Sequence, residues 1–127
     1  MPDTRILIVD NSTEFTMLLK HRLDMYSGIK VLPIANSGPE ALLLLRNYKV
    51  DIVLLDIIMP GMDGLELLKN ISDLGFDPVV IVISALSTNA IVKEALSLGA
   101  SCYFDKPINC DKLISKIRKI MDKKANF

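Results

Sequence analysis

Short β-branched apolar runs alternate along the chain with stretches whose apolar positions recur at helical spacing. The first run, Arg5-Ile6-Leu7-Ile8-Val9, stops at the polar triplet Asp10-Asn11-Ser12, and a helical pattern follows over residues 14–25. A second strand is predicted over residues 29–35, where Pro33, lacking an N–H for a ladder, points to a sheet edge. A Leu-rich helix then covers residues 39–47. Residues 51–57 form the most uniformly apolar strand, and helix 65–74, strand 78–84 and helix 89–98 follow, the last closed by Gly99. A fifth strand spans residues 101–104. The final helix covers 111–123, with Leu113, Ile114, Ile117, Ile120 and Met121 on one face and lysines on the other. Strands apolar on both faces, each followed by a helix, predict a parallel sheet buried between two helical layers: a doubly wound α/β domain.

Length and composition narrow this picture. With 127 residues, half of them hydrophobic, one compact domain over residues 1–127 is expected, with no repeat, linker or low-complexity tract to divide it. Fifteen basic residues balance fifteen acidic ones, so neither a nucleic-acid coat nor a polybasic membrane anchor is indicated, and any DNA contact would need another domain. Cys102 and Cys110 lack C-x-x-C spacing and read as free thiols of a cytoplasmic protein. Runs such as Val79-Val80-Ile81-Val82-Ile83 are far shorter than the ~20 apolar residues that cross a membrane. The six methionines read as core filler and surface, and His21 as a surface residue.

Ligands of open parallel sheets bind outside the carboxyl ends of the strands, so the residues there belong together. Strand one ends in Asp10-Asn11, strand three in Asp56, strand four in Ser84-Ala85, and strand five leads to Lys106-Pro107. Singly, each has an ordinary structural use: a helix cap, a turn residue, a solvated charge. Together, two carboxylates, a hydroxyl and an ammonium suit an oxygen-ligated divalent cation beside a phosphoryl group. Asp56 anchors the set, because an apolar strand ending in a carboxylate requires compensation for its desolvation.

Two stretches carry a family resemblance. Leu54-Leu55-Asp56-Ile57-Ile58-Met59-Pro60-Gly61-Met62-Asp63-Gly64 closely resembles the phosphoacceptor strand and loop of response-regulator receivers of bacterial two-component systems. Gly99-Ala100-Ser101 through Lys106-Pro107 resembles their fifth strand, and the likeness covers essentially the whole chain. It implies the flavodoxin-like strand order 2-1-3-4-5 with five helices. It also implies a signalling switch, not an enzyme acting on an external substrate. Asp56 is then the phosphoacceptor for a phosphohistidine on a sensor histidine kinase or histidine phosphotransfer protein. Mg2+ is held by Asp10, Asn11, Asp56 and the backbone carbonyl of Ile58. Lys106, the Ser84 hydroxyl and the Ala85 backbone amide bind phosphoryl oxygens. Ser84 and Tyr103 form the conformational switch, a role preferred for Tyr103 over that of an ordinary half-buried strand aromatic. The Lys106-Pro107 bond is expected to be cis.

The chain departs from that pattern at Asn11, where receivers usually carry a second acid. An amide oxygen still binds Mg2+, but the missing charge predicts a weaker site and leaves open a receiver that takes no phosphate. Ile58 and Leu86, which by the resemblance govern the hydrolytic water, are apolar and predict a long-lived phosphorylated form. The output surface is expected on residues 89–98, Tyr103 and Lys112, Lys116, Lys119, Lys123 and Lys124, with phosphorylation-dependent homodimerisation as one use and simple solvation of the lysines as the default. The wording Asp56-Ile57-Ile58-Met59-Pro60 and Leu98-Gly99-Ala100-Ser101 resembles receivers of sporulation transcription factors. That implies transcriptional output through a C-terminal DNA-binding domain beyond Phe127, the alternative being a complete single-domain receiver that binds a protein or relays phosphate. Two other classes fit poorly. A flavin- or nucleotide-binding domain lacks its glycine-rich loop after strand one, and a haloacid-dehalogenase-type phosphatase lacks its second acid, since Ile58 stands there.

Overall fold

The computed structural model describes residues 2–125; Met1, Asn126 and Phe127, at the ends of the expected 1–127 domain, lie outside the described residues. Five strands and five helices alternate: β1 (Thr4–Val9), α1 (Thr13–Leu23), β2 (Ile29–Val31), α2 (Gly38–Asn47), β3 (Ile52–Leu55), α3 (Gly64–Asp73), β4 (Val79–Ser84), α4 (Asn89–Ser97), β5 (Ala100–Asp105) and α5 (Cys110–Ala125). All pairings are parallel, in the order β2-β1-β3-β4-β5. This is the expected flavodoxin-like fold.

The period of two along each strand divides the core into two chemically distinct layers. Ile6, Ile8, Ile52, Leu54, Ile81 and Ile83 face α1 and α5, whereas Leu7, Val9, Val53, Leu55, Val80 and Val82 face α2, α3 and α4. All twelve are buried, at about 25 cal/mol per Å2 of apolar surface removed from water. The helices begin where their own side chains dictate. Ser12, Ser37, Asp63 and Thr88 accept from Phe15, Glu40, Glu66 and Ile91 N–H, and Asn109 accepts from Lys112 N–H, satisfying donors that a helix start leaves free.

One strand is shorter than its pattern predicts. β2 ends at Val31 rather than Ala35, with only an isolated bridge between Val9 and Ala35 beyond it. Leu32 N–H still donates to Ile6 O and Ala35 N–H to Ile8 O, but the offset from β1 has grown by one residue. In a regular ladder Ile34 would donate to Ile8 O; Ala35 does so instead, so one extra residue bulges between Leu32 and Ala35, where Pro33 stands. Its expected edge position holds. Among the described residues, no helix is long and apolar enough to cross a membrane.

Candidate functional site

The central strands β1 and β3 lie side by side, so Asp10 and Asp56, each one residue past a strand end, reach the same rim of the sheet. Their backbones are tied in: Asp10 N–H donates to Ala35 O at 3.1 Å, and Asp56 N–H to Val9 O at 3.0 Å. Both carboxylates are buried, 2% and 7% exposed. Lys106 arrives from the end of β5, its N–H bound to Ser84 O at 3.1 Å and its peptide bond to Pro107 cis, as expected. The ammonium then compensates both acids, with Nζ 2.8 Å from Asp10 Oδ2 and 3.4 Å from Asp56 Oδ2. Charge-assisted contacts of this kind are what allow carboxylates to stay in a desolvated position.

The remaining carboxylate oxygens are held by turns. Ser12 N–H donates to Asp10 Oδ1 at 2.9 Å, and Ile58 N–H to Asp56 Oδ1 at 3.1 Å. Beyond Asp56, Gly64 N–H returns to Ile57 O at 2.9 Å, and a Cβ at residue 64 would lie 2.6 Å from Ile57 Cα. Only glycine permits the start of α3 to close on the Asp56-Ile57 backbone in this way.

On the other flank, Ser84 is fully buried, and its Oγ accepts from Leu86 N–H at 3.3 Å. The Tyr103 hydroxyl donates to Leu86 O, so Ser84 and Tyr103 meet through one residue of the β4–α4 loop. Burial pushes the Tyr103 hydroxyl above its ordinary pKa; the Ser84 hydroxyl opposes the shift, and the Asp105 and Asp56 charges add to it. Asp10, Asp56 and Lys106 are thus in direct contact, with Ser84 and Tyr103 linked to them through backbone. Asn11 and Ala85 are exposed at the rim, and Ile58 carries its side chain 52% exposed. Leu86 is half-buried.

Three contributors were not foreseen. Ser12 both caps α1 and holds Asp10, which the Asp-x-Ser spacing before a helix could have suggested. Gly64 stood inside the recognised motif, but its close approach did not show there. Phe15 places its ring centroid 4.1 Å from Lys106 Nζ. Outside the site, a groove of about 1060 Å3 opens between α1 and the loop into α5, lined by Leu18, Arg22, Tyr26 and Ile108 among others. Cys102 and Cys110 are free, as expected, and burial pushes both thiols up in pKa.

A divalent cation suits this donor set. Asp10 and Asp56 present two carboxylates to one ammonium, leaving a net negative charge, and the surrounding donors are oxygen. Among the described residues no cluster of three or more His, Cys, Asp or Glu side chains could hold a metal, so a cation would rest on these two acids together with amide and carbonyl oxygens.

The profile of the response regulator receiver domain matches residues 6–118. A protein-glutamate methylesterase/protein-glutamine glutaminase 3 from Rhodospirillum rubrum is 42% identical over 123 residues, which cover 94% of this chain and 33% of that protein. The chain therefore spans about a third of that relative's length. Among solved structures, a CheY-like response regulator receiver domain protein from Methanospirillum hungatei superposes with a TM-score of 0.89 at 31% identity, covering 98% of each chain. A chain of the CheX–CheY–BeF3–Mg2+ complex from Borrelia burgdorferi superposes with a TM-score of 0.85 at 34% identity, covering 94% of this chain and 90% of that one. Sequence and fold agree over nearly the full length: the chain belongs to the response-regulator receiver family, the phosphorylation-dependent signalling domains of two-component systems.

Proposed function

We propose that residues 1–127 act as a phosphoacceptor switch in which Asp56 takes the phosphoryl group of a phosphohistidine on a sensor histidine kinase or histidine phosphotransfer protein. The observation that carries this reading is the Lys106 ammonium shared between the buried carboxylates of Asp10 and Asp56. An Asp56 oxygen bonds to phosphorus while the phosphorus–nitrogen bond breaks. The electron pair stays on the imidazole, which takes a proton from solvent, and an acyl phosphate remains on Asp56. Asp10, Asn11, Asp56 and the Ile58 carbonyl would hold Mg2+, which supplies neutralising charge for the transferring group. Lys106, the Ser84 hydroxyl and the Ala85 N–H take the phosphoryl oxygens. As Ser84 turns toward them it gives up Leu86 N–H, and the Tyr103 hydroxyl on Leu86 O follows, shifting the β4–α4 loop between two states.

Incubation with acetyl phosphate and Mg2+ followed by intact-mass measurement tests this directly. One added phosphoryl group is expected, absent from Asp56→Ala; no addition, or addition that survives Asp56→Ala, would overturn it. Ile58 and Leu86 offer no side-chain donor or acceptor to orient a hydrolytic water, so the label should persist, and its rapid loss from isolated phosphoprotein would contradict that.

The output proposed is transcription, through a DNA-binding domain outside this chain, in the cytoplasm; sporulation control is its narrowest form and rests on the wording around Asp56 and Gly99 alone. A second reading is favoured by the Rhodospirillum rubrum relative, a methylesterase/glutaminase of which this chain matches one third: the receiver would then govern an attached enzymatic domain. Phosphorylation-dependent homodimerisation through the α4–β5–α5 face is the proposed means in either case, and unchanged sedimentation on phosphorylation would argue against it.

A further inference from the structure

A closed circuit of contacts surrounds the Lys106 ammonium on its Asp10 side. Asp10 Oδ2 receives Nζ at 2.8 Å; Asp10 Oδ1 receives Ser12 N–H at 2.9 Å; Ser12 Oγ receives Phe15 N–H at 3.3 Å; and the Phe15 ring returns to Nζ at 4.1 Å from its centroid. The backbone turn that orients the carboxylate therefore also sets the ring. Phe15 is half-buried and borders both the crevice beneath Asp10 and Asp56 and the outer groove beside Pro107, so its face is partly shielded from water where the ammonium meets it. A cation over an aromatic face is attracted by the ring's quadrupole, more strongly as water is excluded. Lys106 sits closer to Asp10 than to Asp56, at 2.8 against 3.4 Å.

We propose that Phe15 is a positioning residue of the phosphoacceptor site, acting through Lys106: its ring stabilises the ammonium on Asp10 in the metal-free protein and so opposes entry of a divalent cation. The inference rests on the assignment of Asp10 and Asp56 to the Mg2+ site. An ammonium and a dication repel each other on one carboxylate oxygen, so cation entry moves Lys106 off Asp10 and away from the ring. Whatever stabilises the resting position weakens cation binding by the same factor.

The test uses the 127-residue chain, with Phe15→Leu to keep apolar bulk without a π face and Phe15→Tyr to keep the face. In metal-free wild type the Lys106 ε-methylene protons should resonate upfield through the ring current. The shift should vanish in Phe15→Leu, persist in Phe15→Tyr, and vanish in wild type at saturating Mg2+. Titration with Mg2+ alone should show about two- to five-fold tighter binding in Phe15→Leu and wild-type affinity in Phe15→Tyr. An ordinary Lys106 shift in wild type, or equal or weaker Mg2+ binding in Phe15→Leu, would overturn the role of Phe15 while leaving the site assignment standing. No Mg2+ binding by wild type would overturn the assignment and this inference with it.

Discussion

α4 and α5 flank the same edge of the sheet and are held to it very differently. α5 has sixteen residues, buries Cys110, Leu113, Ile114 and Ile117, and is tied to the turn after α1 by the Tyr26 hydroxyl on Asp111, with Arg118 over the Tyr26 ring. α4 has nine residues, buries only Ala95, and leaves Leu96 45% exposed. The firm helix follows Lys106, whose ammonium joins the two carboxylates of the rim. The loosely held helix follows Ser84 and Leu86, whose loop must change shape. Local opening free energy tracks buried apolar contact, so the fold places its rigid element behind the charge and its soft element behind the response.

Substitution at Ile117 should break that contrast most strongly. Ile117→Ala empties a fully buried position and should cost about 2–5 kcal/mol in denaturant unfolding, a loss seen in amide exchange of α1 and α5 together. A cost no greater than that of an α4 variant would remove the contrast. On the same firm side, Asn11→Asp adds a charge beside Asp10 and should tighten Mg2+ binding by about five- to tenfold in a calorimetric titration; equal affinities would show that the amide already serves as well. At α4, Thr88→Ala removes the cap on Ile91 N–H and should cost about 1 kcal/mol, with faster amide exchange confined to α4. Spread of that effect into α5 would mean that the two helices open as one unit.

The smallest expected effect concerns Tyr103. Because burial raises its pKa, the folded form keeps the phenolic proton to higher pH than the unfolded chain does. The stability it contributes is complete below the unfolded value near ~10 and is lost as pH rises through the higher folded one. Tyr103→Phe should therefore flatten the alkaline fall in stability, and an identical alkaline profile would count against the buried hydroxyl.

Strand β3 was legible because nothing but a buried central strand explains Ile52-Val53-Leu54-Leu55 running into Asp56. β2 was legible only as an edge: the apolar run continues to Ala35, but a one-residue bulge around Pro33 ends the regular pairing at Val31. Asp10, Asp56, Ser84 and Lys106 could be grouped because strand ends converge in any parallel sheet. The preference of Lys106 for Asp10 could not be read, since the two are 96 residues apart and the choice depends on distances within the rim. Phe15 escaped notice for a different reason: an aromatic at helical spacing reads as core, and only coordinates reveal an ammonium over its face. Asn11 and Ala85 stand exposed at the rim of the site, at the two strand ends from which their neighbours Asp10 and Ser84 turn inward.

The break at Pro33 reaches beyond the register of β2. A parallel sheet has two open borders, and an unbroken border of free donors is a template on which a second chain can add as a further strand. Here one border is a strand of three residues that ends two residues before Pro33, which has no N–H to donate. A chain half composed of hydrophobic residues thereby keeps its outer rim a poor seed for growth into fibres.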